Sequence, residues 1–287
     1  MRGRSGNWLS YRNARDCARG AMIIEFDNAF LEFERDAYSL LHECHFDPGA
    51  ELSNFKIQIQ AQNLATDIGY LSMVMRDLHQ AAIHEISAEF DLENAKYNEY
   101  IKQHREKGGP NTALDDGFFR NQPRQERNIS IALAKFGAAF KAFLFPLRAY
   151  QDAIYMIGLG ILEQPVGGKS GMKNAVNVPE RVFITKNPIG QLLTTAVPDY
   201  AMWFGSLRGQ RNSVKSGAGI SYNSGKNFVT GETTIAIDIH TSSENRTLIS
   251  LDNVSQALQM STKATKAIVE FGISHGKFKP RAHGNAG

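Results

Sequence analysis

Residues 51–107, ELSNFKIQIQAQNLATDIGYLSMVMRDLHQAAIHEISAEFDLENAKYNEYIKQHREK, decide the fold class. The stretch contains no proline, and Gly69 is its one glycine. Ile57, Leu64, Ile68, Leu71, Val74, Met75, Leu78, Ala82 and Ile86 recur at helical spacing, which predicts one long helix with a buried apolar stripe. From Glu93 onward the stretch turns polar, and Tyr97, Tyr100 and Ile101 leave only a thin apolar edge. Gly108-Gly109-Pro110 ends the pattern.

Upstream, Phe30, Phe33, Ala37, Leu40, Leu41 and Cys44 share the same period, predicting a helix from Asp27 to His45 that stops before Pro48-Gly49. Downstream, a helical region covers about 124–163. Pro146 is expected to kink or split it, because proline removes a backbone donor and clashes with the preceding turn. Pro165 to Asn187 reads as a long surface loop. A fourth helix is predicted from Pro198-Asp199 to Ser216-Gly217. Ile235, Ile237 and Ile239 then alternate with polar residues before a turn at 241–245 and a second apolar run at 246–251, the pattern of a β-hairpin. Asp252 or Asn253 is placed to cap a last helix with Val254, Leu258, Ser261, Thr265, Ile268 and Phe271 on one side. The expected architecture is mainly α: a bundle of about five helices with a C-terminal β-hairpin inserted before the last helix.

Composition bounds the function less tightly. The chain has 287 residues, enough for one large domain with a sizeable core. Residues 22–275 read as that single domain, between basic tails at 1–21 and 276–287 read as disordered, with Met22 an alternative start. The net charge of +3 is carried by the ends, +4 in residues 1–20 and +3 in 275–287, which leaves the body at −4. A mildly acidic body gives no global argument for nucleic-acid binding, so such a case must rest on a local patch. The two cysteines, Cys17 and Cys44, form no framework and no Cys-x-x-Cys pair, so a reducing, cytoplasmic setting is expected. No apolar run approaches a membrane span, so no membrane partner is expected.

Several motifs are weak. Gly167-Gly168-Lys169-Ser170 resembles the end of a phosphate-binding loop, but Glu163 stands where that pattern needs glycine, and a helix precedes it instead of a strand. His42, Cys44 and His45 crowd the end of the first helix without a second ligand cluster, and His79 and His84 point apart. No metal and no cofactor are expected.

The fourth helix carries the stronger signal. Arg208, Arg211 and Lys215 are spaced i, i+3, i+7, so two guanidinium forks and an ammonium project together. Such forks bind phosphate or carboxylate in a bidentate way. The bland alternative pairs these cations with carboxylates such as Glu85, Glu89, Asp91 and Glu93.

Arg211-Asn212-Ser213-Val214-Lys215-Ser216-Gly217, late in a helical protein, resembles the signature of the HEPN superfamily. That family consists of helical bundles, often dimeric, and many members are metal-independent ribonucleases of toxin–antitoxin, defence and RNA-processing systems. The resemblance carries the family's Arg and polar positions onto Arg211 and Asn212. The family's histidine falls on Ser216, Gly217 or Ala218, and no histidine occurs between His104 and His240. An imidazole can move a proton both ways near neutrality, whereas a serine hydroxyl can donate a hydrogen bond but does not act as acid or base without a partner. Arg35-Asp36 followed by His42 meets the same spacing, but in the first helix, and reads as coincidence.

The resulting expectation is a non-catalytic protein of a defence or regulatory system. It would grip RNA, a nucleotide or an acidic protein partner through Arg208, Arg211, Asn212, Lys215 and Ser216, most simply as a homodimer. The rivals are a metal-independent endoribonuclease that borrows a proton-transfer group such as His240, and a helical scaffold with no anion site.

Overall fold

A computed structural model describes residues 23–46, 52–106, 126–164, 187–198, 200–217, 220–226, 232–240 and 246–280. The long helix forms as one element, Leu52–Glu106 (α2), preceded by α1 at residues 23–43 and followed by α3, Glu126–Ile161. The buried line along α2 is Asn54, Gln58, Ala61, Ala65, Ile68, Ser72, Met75, His79, Ala82 and Ile86. These residues alternate by four and three without a break, a heptad seam of the kind that lets two helices pack along their length. On α3 the matching line is Phe136, Phe140, Phe143, Leu147, Tyr150, Ile154, Ile157 and Ile161. His79 meets Phe136 edge-on with ring centroids 5.4 Å apart, while Asn54 lies against Gly160, so the pair runs antiparallel. A Cβ on Gly160 would fall 2.6 Å from Asn54 Oδ1, so any larger residue here would have to displace the Asn54 amide.

Polar seam residues have specific tasks. Gln58 donates to the carbonyls of Leu41, at 2.9 Å, and Cys44, tying down the end of α1. Ser72 returns its hydroxyl to Ile68 O at 2.7 Å. Burial lowers the pKa of His79 from 6.5 to about 4, so it is neutral in the native state, whereas an unfolded chain protonates it near 6.5. Its contribution to stability is therefore complete above pH 6.5 and is lost as pH falls from 6.5 to about 4. Urea titrations across that window should lose on the order of 3 kcal/mol in the wild type, and the loss should shrink in His79→Gln.

Pro146 does not break α3. The carbonyl it deprives of a partner belongs to Ala142, which is exposed and can turn to water. Phe143, Leu144, Leu147 and Tyr150 are all buried around it, so packing holds both halves in one line. α1 is distorted instead: residues Glu34–Ser39 form a π-helical segment. Asp36 within it pairs with Arg35 at 2.7 Å and with Lys266 at 3.0 Å, and these partners hold its carboxyl far below the usual carboxylate range. The wide turn also breaks the α-helical register on which an alignment of Arg35 with His42 depends.

After α3 comes a short helix that periodicity does not predict, Pro188–Ala196 (α4). Asn187 caps it by accepting from the backbone N–H groups of Ile189 and Gly190 at 3.0 Å, with Pro188 in the first turn. The cationic helix follows as Tyr200–Lys215 (α5), and Leu251–Ser274 (α6) closes the bundle. Ser250, not Asp252 or Asn253, is the N-cap of α6, and Asn253 reaches back to accept from Ser250 N at 2.8 Å. The described residues thus form six helices.

The predicted hairpin is present as Thr233–His240 and Arg246–Ile249, antiparallel, with Ile239 opposite Thr247. A further strand, Ile220–Lys226, pairs antiparallel on the other edge of Thr233–His240 with Ile220 opposite Ile239, making a three-stranded meander. A second, two-stranded sheet joins Cys44–Phe46 to Phe278–Pro280. Residues 278–280 therefore belong to the fold, and the boundary placed at 275 is too early. Phe278 is buried against Phe46, ring centroids 4.7 Å apart, which is what holds this segment. The stretches 1–22 and 281–287, and the Gly167–Ser170 motif, lie outside the described residues. No helix among the described residues is long and apolar enough to cross a membrane.

Candidate anion-binding face

Two buried anchors position α5. Tyr200, fully buried, donates its hydroxyl to Gln151 Oε1 at 2.7 Å, and Gln151 Nε2 donates to Ser261 Oγ at 2.8 Å. One turn on, the guanidinium of Arg148 lies 4.2 Å from the centre of the Phe204 ring. The Arg148 side chain is only 9% exposed, and its Nη1 sits 2.6 Å from Asp152 Oδ2. That contact is an ion pair without hydrogen-bond alignment, since Arg148 Nη1 and Asp152 Oδ1 find no hydrogen-bond partner among the described residues. Tyr200 facing Gln151 and Phe204 facing Arg148 make α5 antiparallel to α3.

Arg208, Arg211 and Lys215 stand at i+4, i+7 and i+11 from Phe204, so they continue the stripe that buries Tyr200 and Phe204. The apolar pair Tyr200 and Phe204 and the three cations thus share one side of the helix. The two are one stripe, apolar where α3 covers it and cationic further along. The change comes at Phe145, one turn before Arg148 on α3 and 41% exposed. The Arg211 guanidinium lies 5.2 Å from the centre of the Phe145 ring, and Arg211 Nη1 donates to Asn212 Oδ1 at 3.2 Å.

The three cations differ. Among the described residues no carboxylate lies within ion-pairing distance of Arg211 or Lys215, and α5 itself contains no Asp or Glu. Arg211 is half-buried and Lys215 exposed. Arg208 is half-buried and engaged within the protein. Asn212 is exposed, and Ser216 donates its hydroxyl to Ser213 O at 3.0 Å. A cavity of about 150 Å³ beside this helix opens on a different flank, between Phe140, Leu144, Trp203, Gln210, Asn253 and Gln256, and none of the three cations lines it. Among the described residues, the cationic face is flanked by the exposed ring of Phe145.

No family model, curated protein or solved structure matches this chain. Its site therefore rests on its own geometry. Phe145 and Arg148 escaped the sequence reading because nothing in the run Phe143-Leu-Phe-Pro-Leu-Arg148 distinguishes the ring left at the surface from those inside. Of the His42, Cys44 and His45 group, the side chain of His45 lies outside the described residues. The His42 ring lies against Tyr38, tilted by 51° with centroids 4.3 Å apart, while Cys44 faces the core, where burial raises its thiol pKa. Among the described residues no three His, Cys, Asp or Glu side chains come together to hold a metal ion.

Proposed function

We propose that the C-terminal half of α5 binds single-stranded RNA without cleaving it, as a HEPN-like protein that keeps the anion-binding half of the motif and lacks its histidine. The observation that carries this reading is the state of Arg211. Its guanidinium is held in place by Phe145 and Asn212, and no carboxylate neutralises it among the described residues. A guanidinium fixed by a ring and a neutral side-chain oxygen keeps its charge and its remaining N–H donors for a phosphate. Lys215, one turn further along, adds an exposed point charge. The exposed Phe145 offers a flat surface beside them, and aromatic rings beside basic side chains are how single strands are held without sequence preference.

Cleavage requires a group that both takes and returns a proton. In the motif itself that position falls on Ser216, Gly217 or Ala218, of which only Ser216 carries a hydroxyl, and this donates to the Ser213 carbonyl. The test is a filter-binding titration of a labelled RNA oligonucleotide in EDTA, with wild type, Arg211→Ala and His240→Ala. Intact RNA whose retention weakens about tenfold in Arg211→Ala supports the binder. Arg211-dependent fragments would instead support a metal-independent endoribonuclease. Equal retention by wild type and Arg211→Ala would leave a scaffold with no anion site.

A further inference from the structure

A groove between α1 and α2 lies apart from the α5 site. Its cavity of about 350 Å³ is walled by the rings of Phe30, Phe33, Tyr38 and Tyr70, with Glu34 at its edge and Gly69 leaving room in its wall. Its volume is that of a small-molecule pocket. Tyr70 is 70% exposed, an unusual position for a ring that serves only packing. The lining contains no lysine, arginine or histidine, and among the described residues no cation pairs with Glu34. Rings with negative faces and one unneutralised carboxylate, with no lysine or arginine in the lining and the His42 ring packed against Tyr38 outside it, make a surface that attracts cations and disfavours anions.

The backbone beneath the groove is itself distorted. Glu34 opens, and Tyr38 nearly closes, the π-helical segment Glu34–Ser39. Such segments give up regular helical hydrogen bonding and recur at functional sites. Here the distortion is fastened from its other side. Ala37 is fully buried, Asp36 is tied to Lys266 of α6 at 3.0 Å, and Ser39 Oγ donates to Glu34 O at 2.9 Å. The fold thus holds Glu34 and Tyr38 at the groove on a rigid base.

We propose that this groove binds a small quaternary ammonium compound, with its methylated nitrogen over the rings of Tyr38 and Tyr70 and its charge met by Glu34. Methylated ammonium suits the groove better than a bare ammonium, because its charge is spread over apolar methyl groups that the rings cover without stripping tightly held water. The site is independent of the α5 face and of the RNA reading.

Calorimetric titration of the full chain with choline tests it, with 3,3-dimethyl-1-butanol as the uncharged analogue of the same shape. Choline should saturate one site per chain, and the neutral analogue should bind at least about fivefold more weakly. Glu34→Gln and Tyr70→Ala, both at exposed positions, should each weaken choline binding about five- to tenfold, and Tyr70→Phe should restore it. Melting curves matching the wild type would confirm that these variants fold. Three results would overturn the proposal: no saturable choline binding up to on the order of 10 mM, a concentration above that of ordinary weak recognition; equal affinity for the neutral analogue; or unchanged affinity in both Glu34→Gln and Tyr70→Ala.

Discussion

Replacing Gln151 with leucine is expected to lower the stability of this protein by about 3 kcal/mol, although leucine nearly matches it in size. Gln151 is fully buried and joins three helices: its carbonyl accepts from Tyr200 of α5, and its amide donates to Ser261 of α6. A parallel link runs beside it. Thr265 Oγ1 gives its proton to Ser261 O at 2.8 Å, so the 2.6 Å contact with Tyr150 is donated by the tyrosine. Burial drives both tyrosine pKa values well above the ordinary range, so both hydroxyls remain protonated donors. Leucine would strand the Tyr200 hydroxyl and Ser261 Oγ in an apolar interior, at about 1–3 kcal/mol each. The triple variant Gln151→Leu, Tyr200→Phe, Ser261→Ala removes the stranded groups together and should recover to within about 1 kcal/mol of the wild type. Urea denaturation of the single and triple variants decides the matter. A single variant as stable as the wild type would mean that the network does not fasten α5.

The second large effect is electrostatic. Reversing both open cations, Arg211→Glu with Lys215→Glu, should lower RNA affinity by about 100-fold or more, since each removes a charge-assisted contact and adds repulsion. Neither residue has a carboxylate partner to lose among the described residues, so the thermal midpoint should move little. An equal loss of affinity and of stability would show that the variant had damaged the fold and not a binding surface. Retained affinity with an unchanged midpoint would place RNA elsewhere.

The parts of the fold legible in the sequence were those where local pattern and tertiary packing agree. The long α2 could be read because nothing interrupts it, and α6 because its apolar side is continuous. The seam of α2 was only half legible. Ile68, Met75, Ala82 and Ile86 were in the predicted stripe, but Asn54, Gln58, Ser72 and His79 share the buried line and carry polar labels. Their burial depends on partners remote in sequence, such as the carbonyls of Leu41 and Cys44 for Gln58. The helix α4 is too short to show a period, and its signal was the cap, Asn187-Pro188. The strand Ile220–Lys226 alternates only through Ile220, Tyr222 and Ser224, and it gains its place by pairing with Thr233–His240.

The candidate site shows the same division. Helical spacing put Arg208, Arg211 and Lys215 on one side, and the helix exists. Spacing could not tell that this side is also the buried one, nor that Arg208 is engaged while Arg211 rests on Phe145. Those distinctions depend on where α3 stops covering α5. The π-helical segment of α1 was invisible for a related reason: its residues keep an ordinary helical pattern, and the distortion is anchored by Lys266, which is distant in sequence.

The salt dependence of RNA binding tests the central claim most directly. If Arg211 and Lys215 meet phosphates, the logarithm of the association constant falls linearly with the logarithm of salt concentration for the wild type. Arg211→Ala should then bind more weakly at every salt concentration and with a slope shallower by about one. Identical lines for the wild type and Arg211→Ala would contradict the account.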